Sequence, residues 1–220
     1  MFKKYLTVFS ALFILSTKTA HSSVANEYLR IVSVPSTINS GLTYGKEETI
    51  KGILGPPTVE KPKECLDPSR ITDERLRRLI IDKNVGPFKV TGLKPAVETI
   101  KRIFTKVKQE KPDLYKYLGT AGMLCIRHIR GNPNKFSNHA WGTAIDITIK
   151  SRPTDNPYSD NNNLYPYNEK GTYEGLLEIY PYFHEEKFFW GAGFQQKPDA
   201  MHFEASDELI QEWKAKGFIP

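Results

Sequence analysis

Between positions 144 and 150 the sequence AIDITIK alternates with a period of two. In an extended chain this puts Ile145, Ile147 and Ile149 on one face and Ala144, Asp146 and Thr148 on the other. Three isoleucines on one face require a core behind the strand, so Asp146 points away from that core. The same parity in MHFE, residues 201–204, sends Met201 and Phe203 inward and His202 and Glu204 to the opposite face. Two strands therefore each offer one ligand-type side chain on their non-core side.

A third such group precedes the first strand. The stretch FSNHAWGTAID, residues 136–146, places His139 and Asp146 seven residues apart around a turn at Gly142. His139, Asp146 and His202 make a candidate set of two imidazoles and one carboxylate. Catalytic zinc commonly takes three protein ligands of these types and keeps a fourth position for water. Asp199 stands three residues before His202, where a carboxylate can serve that water as general base and then general acid. His128 and His184 read as structural histidines. HEEKF at 184–188 begins like a zinc-binding helix, but Phe188 occupies the place of the second imidazole.

The 220 residues suit one globular domain with a core of its own. The opening carries Lys3 and Lys4, an apolar run from Tyr5 to Leu15, then small residues with Ala20 and Ser22 at cleavage-type positions. It reads as a secretory signal over residues 1–22, because the run falls short of the roughly 20 apolar residues that span a bilayer. No Cys follows that could take a lipid, so the expectation is no stable membrane anchor after cleavage. Removal of Lys3, Lys4 and Lys18, with no acidic residue, lowers the formal charge from +6 to +3. Lys and Arg are interspersed with acids, as in KRIFTKVKQEKPD, which argues against a nucleic-acid partner. Cys65 and Cys125 are either a disulfide of an exported chain or two buried thiols; a bridge would tie the N-terminal segment to the chain preceding the motif. Neither has a CxxC spacing.

Residues 23–69, punctuated by GPP and KPK, read as a loose lead-in, with the catalytic domain over 70–220. Within it the spacing predicts a short helix in 70–82 capped by Thr72 or Asp73, a strand over 86–93, and an amphipathic helix from Pro95 bearing Ala96, Val97, Ile100, Ile103, Phe104 and Val107. A helical turn through DLYKYL, an extended GMLCIRHI, a long loop over 151–173, a helix near 174–187 and a last helix over 206–216 follow. A loop of that length often shapes a site.

SNHAWGTAID matches the S-x-H-x-x-G-x-A-x-D signature of zinc D,D-peptidases, and DAMHFE is similar to their second motif. The chain thus resembles the group of VanY-type D-alanyl-D-alanine carboxypeptidases and L-alanyl-D-glutamate endopeptidases, which share a hedgehog-like zinc fold. The resemblance runs from about Gly86 to Glu204. It implies zinc ligation by His139, Asp146 and His202, with Asp199 as acid/base and Arg127 stabilising the polarised carbonyl or a substrate carboxylate, Arg130 being the runner-up. Many relatives carry Glu where Asp199 stands. Glu204 and Ser137 are expected to orient ligands by hydrogen bonds.

The expected fold is α+β, a small antiparallel sheet carrying the zinc site with flanking helices. The expected function is zinc-dependent hydrolysis of peptidoglycan stem peptides in the periplasm or outside the cell, as a D-alanyl-D-alanine carboxypeptidase. An L-alanyl-D-glutamate-type endopeptidase and a non-catalytic zinc-containing wall-binding protein are the alternatives. A serine D,D-peptidase is excluded, since no Ser has Lys three residues on.

Overall fold

The computed structural model describes residues 27–152, 163–164 and 171–220. The expected signal at 1–22 and most of the 151–173 loop lie outside the described residues. In chain order the elements are β1 (Ile31–Val32), α1 (Glu47–Leu54), α2 (Glu74–Arg77), β2 (Ile80–Asn84), β3 (Lys89–Leu93), α3 (Lys94–Glu110), α4 (Pro112–Tyr115), β4 (Leu118–Gly122), β5 (His128–Ile129) and β6 (Asn132–Phe136). There follow β7 (Ala144–Lys150), β8 (Asn163–Leu164), β9 (Thr172–Tyr173), α5 (Glu174–Glu185), β10 (Phe188–Trp190), β11 (His202–Ala205) and α6 (Asp207–Ala215). The fold is α+β, as the sequence predicts.

The main sheet is antiparallel, in the order β10-β11-β7-β4 with β8 added to β7. Its core face is the isoleucine face: Ile145, Ile147 and Ile149 are fully buried. Behind it α3 buries the expected stripe, with Pro95 in the first turn where its missing N–H costs nothing. Phe183 of α5 joins the layers, its ring centroid 5.9 Å from that of Phe104 in α3 and 4.3 Å from that of Phe203 in β11. Ser206 caps α6 by accepting from the Leu209 amide at 3.1 Å.

Four local expectations are corrected. The helix in 70–82 lasts only from Glu74 to Arg77 behind its Asp73 cap, because the β-branched pair Ile80–Ile81 enters a hairpin with β3. The helical turn at Pro112 stops at Tyr115, and Leu118 already belongs to β4. GMLCIRHI is mostly irregular: the amides of Leu124 and Cys125 donate to Thr91 and His139 carbonyls, and Ile126 bridges Leu66. The lead-in contains α1, whose Ile50, Ile53 and Leu54 are buried in the same core as the sheet.

Cys65 and Cys125 form a disulfide, with Cα atoms 5.0 Å apart. His184 Nε2 lies 3.1 Å from the Ser40 carbonyl, and His128 packs on Phe136 with ring centroids 4.3 Å apart. Both are structural placements.

Candidate metal centre

The site is built where β7 and β11 pair. Their register sets His202 directly opposite Asp146. A bulge between Thr120 and Gly122 of β4 lies beside Asp146, whose backbone carbonyl accepts from Thr120 Oγ1 at 2.7 Å. Bulges at such positions re-aim side chains out of the regular ladder.

His139 arrives on a 3₁₀ turn, Asn138–Trp141, closed by Gly142 in the left-handed region at φ 64°. A Cβ at Gly142 would lie 2.7 Å from both Gly92 Cα and Leu93 N. Only glycine satisfies the dihedral and the close approach together. The chain reverses there and enters β7, so His139 folds back over Asp146. Trp141, fully buried, anchors the turn by donating from Nε1 to the Gly55 carbonyl at 2.8 Å.

The three side chains converge. His139 Nε2 lies 3.2 Å from Asp146 Oδ1 and 3.1 Å from His202 Nδ1, which is itself 3.2 Å from Asp146 Oδ1. They form a cluster geometrically able to hold a metal ion. The outer ring nitrogens decide the chemistry. His139 Nδ1 faces the Met123 carbonyl at 2.7 Å, and His202 Nε2 faces Glu204 Oε2 at 2.8 Å. A carbonyl and a carboxylate only accept, so the protons sit on those outer nitrogens. In neutral rings the inner nitrogens then turn lone pairs toward each other and toward the Asp146 carboxylate.

Three acceptors facing one point call for a positive charge. Burial disfavours an imidazolium at His202, yet hydrogen bonds and charge from Asp146 and Glu204 override it and raise its pKa to about 10. Burial likewise disfavours the Asp146 carboxylate, but the His139 charge and hydrogen bonds from both histidines hold it well below the usual carboxylate range. A divalent cation answers the same demand, and two imidazoles with a carboxylate suit zinc. The outer carbonyl and carboxylate supply the support that ligating histidines ordinarily have.

Asp199 is exposed, on a turn whose carbonyl accepts from the His202 amide at 3.2 Å and whose amide donates to Gly191 at 2.9 Å. Its backbone is thus fixed next to His202. Half-buried Arg127 receives the Ser137 amide on its carbonyl at 3.1 Å, and its guanidinium donates to the His128 carbonyl at 3.1 Å rather than to the cluster. Arg130 is exposed at the β5–β6 turn. Ser137 contributes backbone bonds, while Glu204 and the Met123 carbonyl hold the two imidazoles. Alternation pointed to Glu204; nothing in the sequence marks a backbone carbonyl such as that of Met123.

An aromatic wall adjoins His202. Phe194 lies 5.7 Å from it, ring centroid to ring centroid, and Phe189 and Tyr44 follow at 5.5 Å and 6.5 Å from Phe194. Tyr44 is 52% exposed. Trp190, by contrast, is core: its Nε1 donates to the Ala200 carbonyl at 2.7 Å.

A small antiparallel sheet thus carries, at a strand pair, a His–Asp–His cluster able to hold a metal ion. Residues 130–205 match the family model described as D-alanyl-D-alanine carboxypeptidase, and that stretch contains the whole cluster and Asp199. The resemblance read from the two motifs is thereby borne out, and the similarity is to a peptidase family. No curated protein matches the chain.

Proposed function

We propose that this protein is a zinc peptidase acting on peptidoglycan stem peptides, removing the terminal residue of D-alanyl-D-alanine. The observation that carries the reading is the convergence of two imidazole lone pairs and one carboxylate within the stretch that matches the carboxypeptidase family. His139, Asp146 and His202 would hold the ion. When bound, zinc lowers the pKa of a coordinated water to about 7 and polarises a carbonyl.

Asp199 takes the proton from the attacking water and delivers it to the departing amine; its exposure keeps it open to both. Arg127 holds the polarised carbonyl oxygen or the substrate's terminal carboxylate. Its guanidinium has five N–H donors, so the Nη1 bond to His128 leaves donors for a carboxylate fork. Arg127 is preferred to Arg130 because its carbonyl is tied to the segment that carries His139. The signal-like opening supports export to the periplasm or beyond, and no helix among the described residues is long and apolar enough to cross a membrane.

The test is mass spectrometry of muropeptides incubated with the zinc-loaded protein and with Asp199→Ala. Loss of a single alanine is expected from the wild type, with turnover by Asp199→Ala lower by about 10²- to 10⁴-fold at unchanged zinc content. Release of a longer fragment would establish an endopeptidase instead. Absence of cleavage with zinc bound would favour a non-catalytic wall-binding protein.

A further inference from the structure

The cluster lies within residues 130–205, but a hydrogen-bond chain that orients it runs outside that stretch. Glu204 divides its carboxylate: Oε2 accepts from His202 Nε2 at 2.8 Å, and Oε1 accepts from the backbone amide of Gly45 at 2.9 Å. The Gly45 carbonyl in turn accepts from Asn138 Nδ2 at 2.8 Å, one residue before His139. A single residue of the N-terminal segment, through the two peptide groups that flank it, therefore reaches toward both histidines.

That segment is pinned just ahead of Gly45 in the chain. Asn39 exchanges two hydrogen bonds with the Trp190 backbone at 2.8 and 2.9 Å, and Thr43 exchanges two with Glu208 Oε2 and the Asp207 amide at 2.9 and 3.0 Å. There is no room at position 45 for a side chain. A Cβ there would lie 2.7 Å from the Ala205 carbonyl oxygen and 3.0 Å from Asn138 Nδ2.

The physical consequence concerns rotation. Glu204 is 3% exposed, so an oxygen without a donor would be an expensive buried acceptor. The Gly45 amide supplies that donor and fixes the carboxylate plane, which directs Oε2 at His202 Nε2. The His202 tautomer is then set, with Nδ1 turned toward His139 and Asp146.

We infer that residues 39–54 are part of the metal centre, with the Gly45 amide acting as a positioning group that fixes Glu204 and, through it, His202. This rests on the reading of His139, Asp146 and His202 as metal ligands. Gly45 and Glu204 touch no reacting atom; they set the geometry of one that does.

The experiment compares the mature wild type with Gly45→Ala, Asn138→Ala, Glu204→Gln, the double variant Gly45→Ala/Glu204→Gln, and Val107→Ala, a change in the buried stripe of α3. Two quantities are read: the zinc dissociation constant by competition with a chromophoric chelator, and the visible absorption of the cobalt(II)-loaded protein, which reports ligand geometry. Glu204→Gln and Gly45→Ala should each weaken zinc by about 10- to 100-fold and shift the cobalt bands. Asn138→Ala frees the Gly45 carbonyl without crowding and should act in the same direction, which keeps the test open if Gly45→Ala does not fold. The double variant should be no weaker than its weaker parent, because both changes remove one link. Val107→Ala should lose thermal stability and bind zinc normally. Wild-type affinity and cobalt spectrum in Asn138→Ala and in folded Gly45→Ala would overturn the inference, as would fully additive losses. A wild type that binds no zinc would instead overturn the ligand assignment, and this inference with it.

Discussion

Two stretches meet at the candidate metal centre and differ in how they are written. Residues 136–146 place their side chains locally: a 3₁₀ turn, a left-handed glycine and an alternating strand put His139 over Asp146 within eleven positions. Residues 39–54 carry no ligand-type motif and act through the backbone, giving an amide to Glu204 and carbonyls to Asn138 and, one residue beyond at Gly55, to Trp141. The identity of the clustered side chains is thus a local property, whereas the amide that fixes Glu204 beside His202 comes from a residue 159 positions away. Side-chain chemistry can be read from a sequence; backbone donors are the same at every residue but proline.

The sharpest way to break the comparison is at the local stretch. His139→Ala should lose zinc and hydrolysis together, by several orders of magnitude in turnover, as measured by metal content and peptide release. Retained stoichiometric zinc would show that the cluster does not hold the ion. The same substitution should leave the fold intact, because Gly142 and Trp141, rather than the imidazole, close the turn.

That asymmetry explains what the sequence made legible. The isoleucine face of β7, the α3 stripe and the last helix follow from periodicity, and each appears with bounds within a few residues of expectation. The cluster was legible because two imidazoles and a carboxylate stand at motif spacing. The α1 helix is not legible in that way, although Ile50, Ile53 and Leu54 have helical spacing, since GPP and KPK suggest a loose segment. The ends of α2 and α4 were misplaced where a hairpin or sheet edge competed with helix propensity, a contest that tertiary pairing decides. Met123 could not be found at all, because only its carbonyl takes part.

Next in size is a covalent join between the chain that follows one stretch and the chain that precedes the other. The Cys65–Cys125 disulfide closes a 60-residue separation and fixes the N-terminal segment near the Cys125 amide, which donates to the His139 carbonyl. Cys65→Ser/Cys125→Ser should lower stability by about 2–4 kcal/mol, read by denaturant unfolding. Zinc affinity at low temperature should change less than stability, since the hydrogen bonds of residues 39–45 remain. A variant as stable as the wild type would show that those hydrogen bonds alone secure the segment.

A smaller effect is expected at the open side. Tyr44, on the N-terminal segment, extends the aromatic wall of Phe189 and Phe194 beside His202. Tyr44→Ala should raise KM several-fold with kcat little changed, the pattern of lost uniform binding. A fall in kcat at constant KM would instead tie Tyr44 to the transition state and make the two stretches catalytically equivalent.

The smallest effect contrasts two carboxylates, each serving two partners. Glu204 is buried between His202 and Gly45; Glu212 is 30% exposed between Lys187 and Lys216. Hydrogen bonds from the two lysines hold the Glu212 carboxyl at about 2, below its unfolded value. A depressed carboxylate contributes stability that is present above the unfolded pKa of roughly 4.3 and disappears as pH falls through the folded value. Exposure and salt screening keep that contribution to about 0.2–1 kcal/mol. Glu212→Gln should therefore melt slightly below the wild type at neutral pH in low salt, with the gap closing toward pH 2 and in high salt. A gap that ignored both would mean that Glu212 acts by packing. The contrast with Glu204 would then lie in burial alone, not in what each carboxylate holds in place.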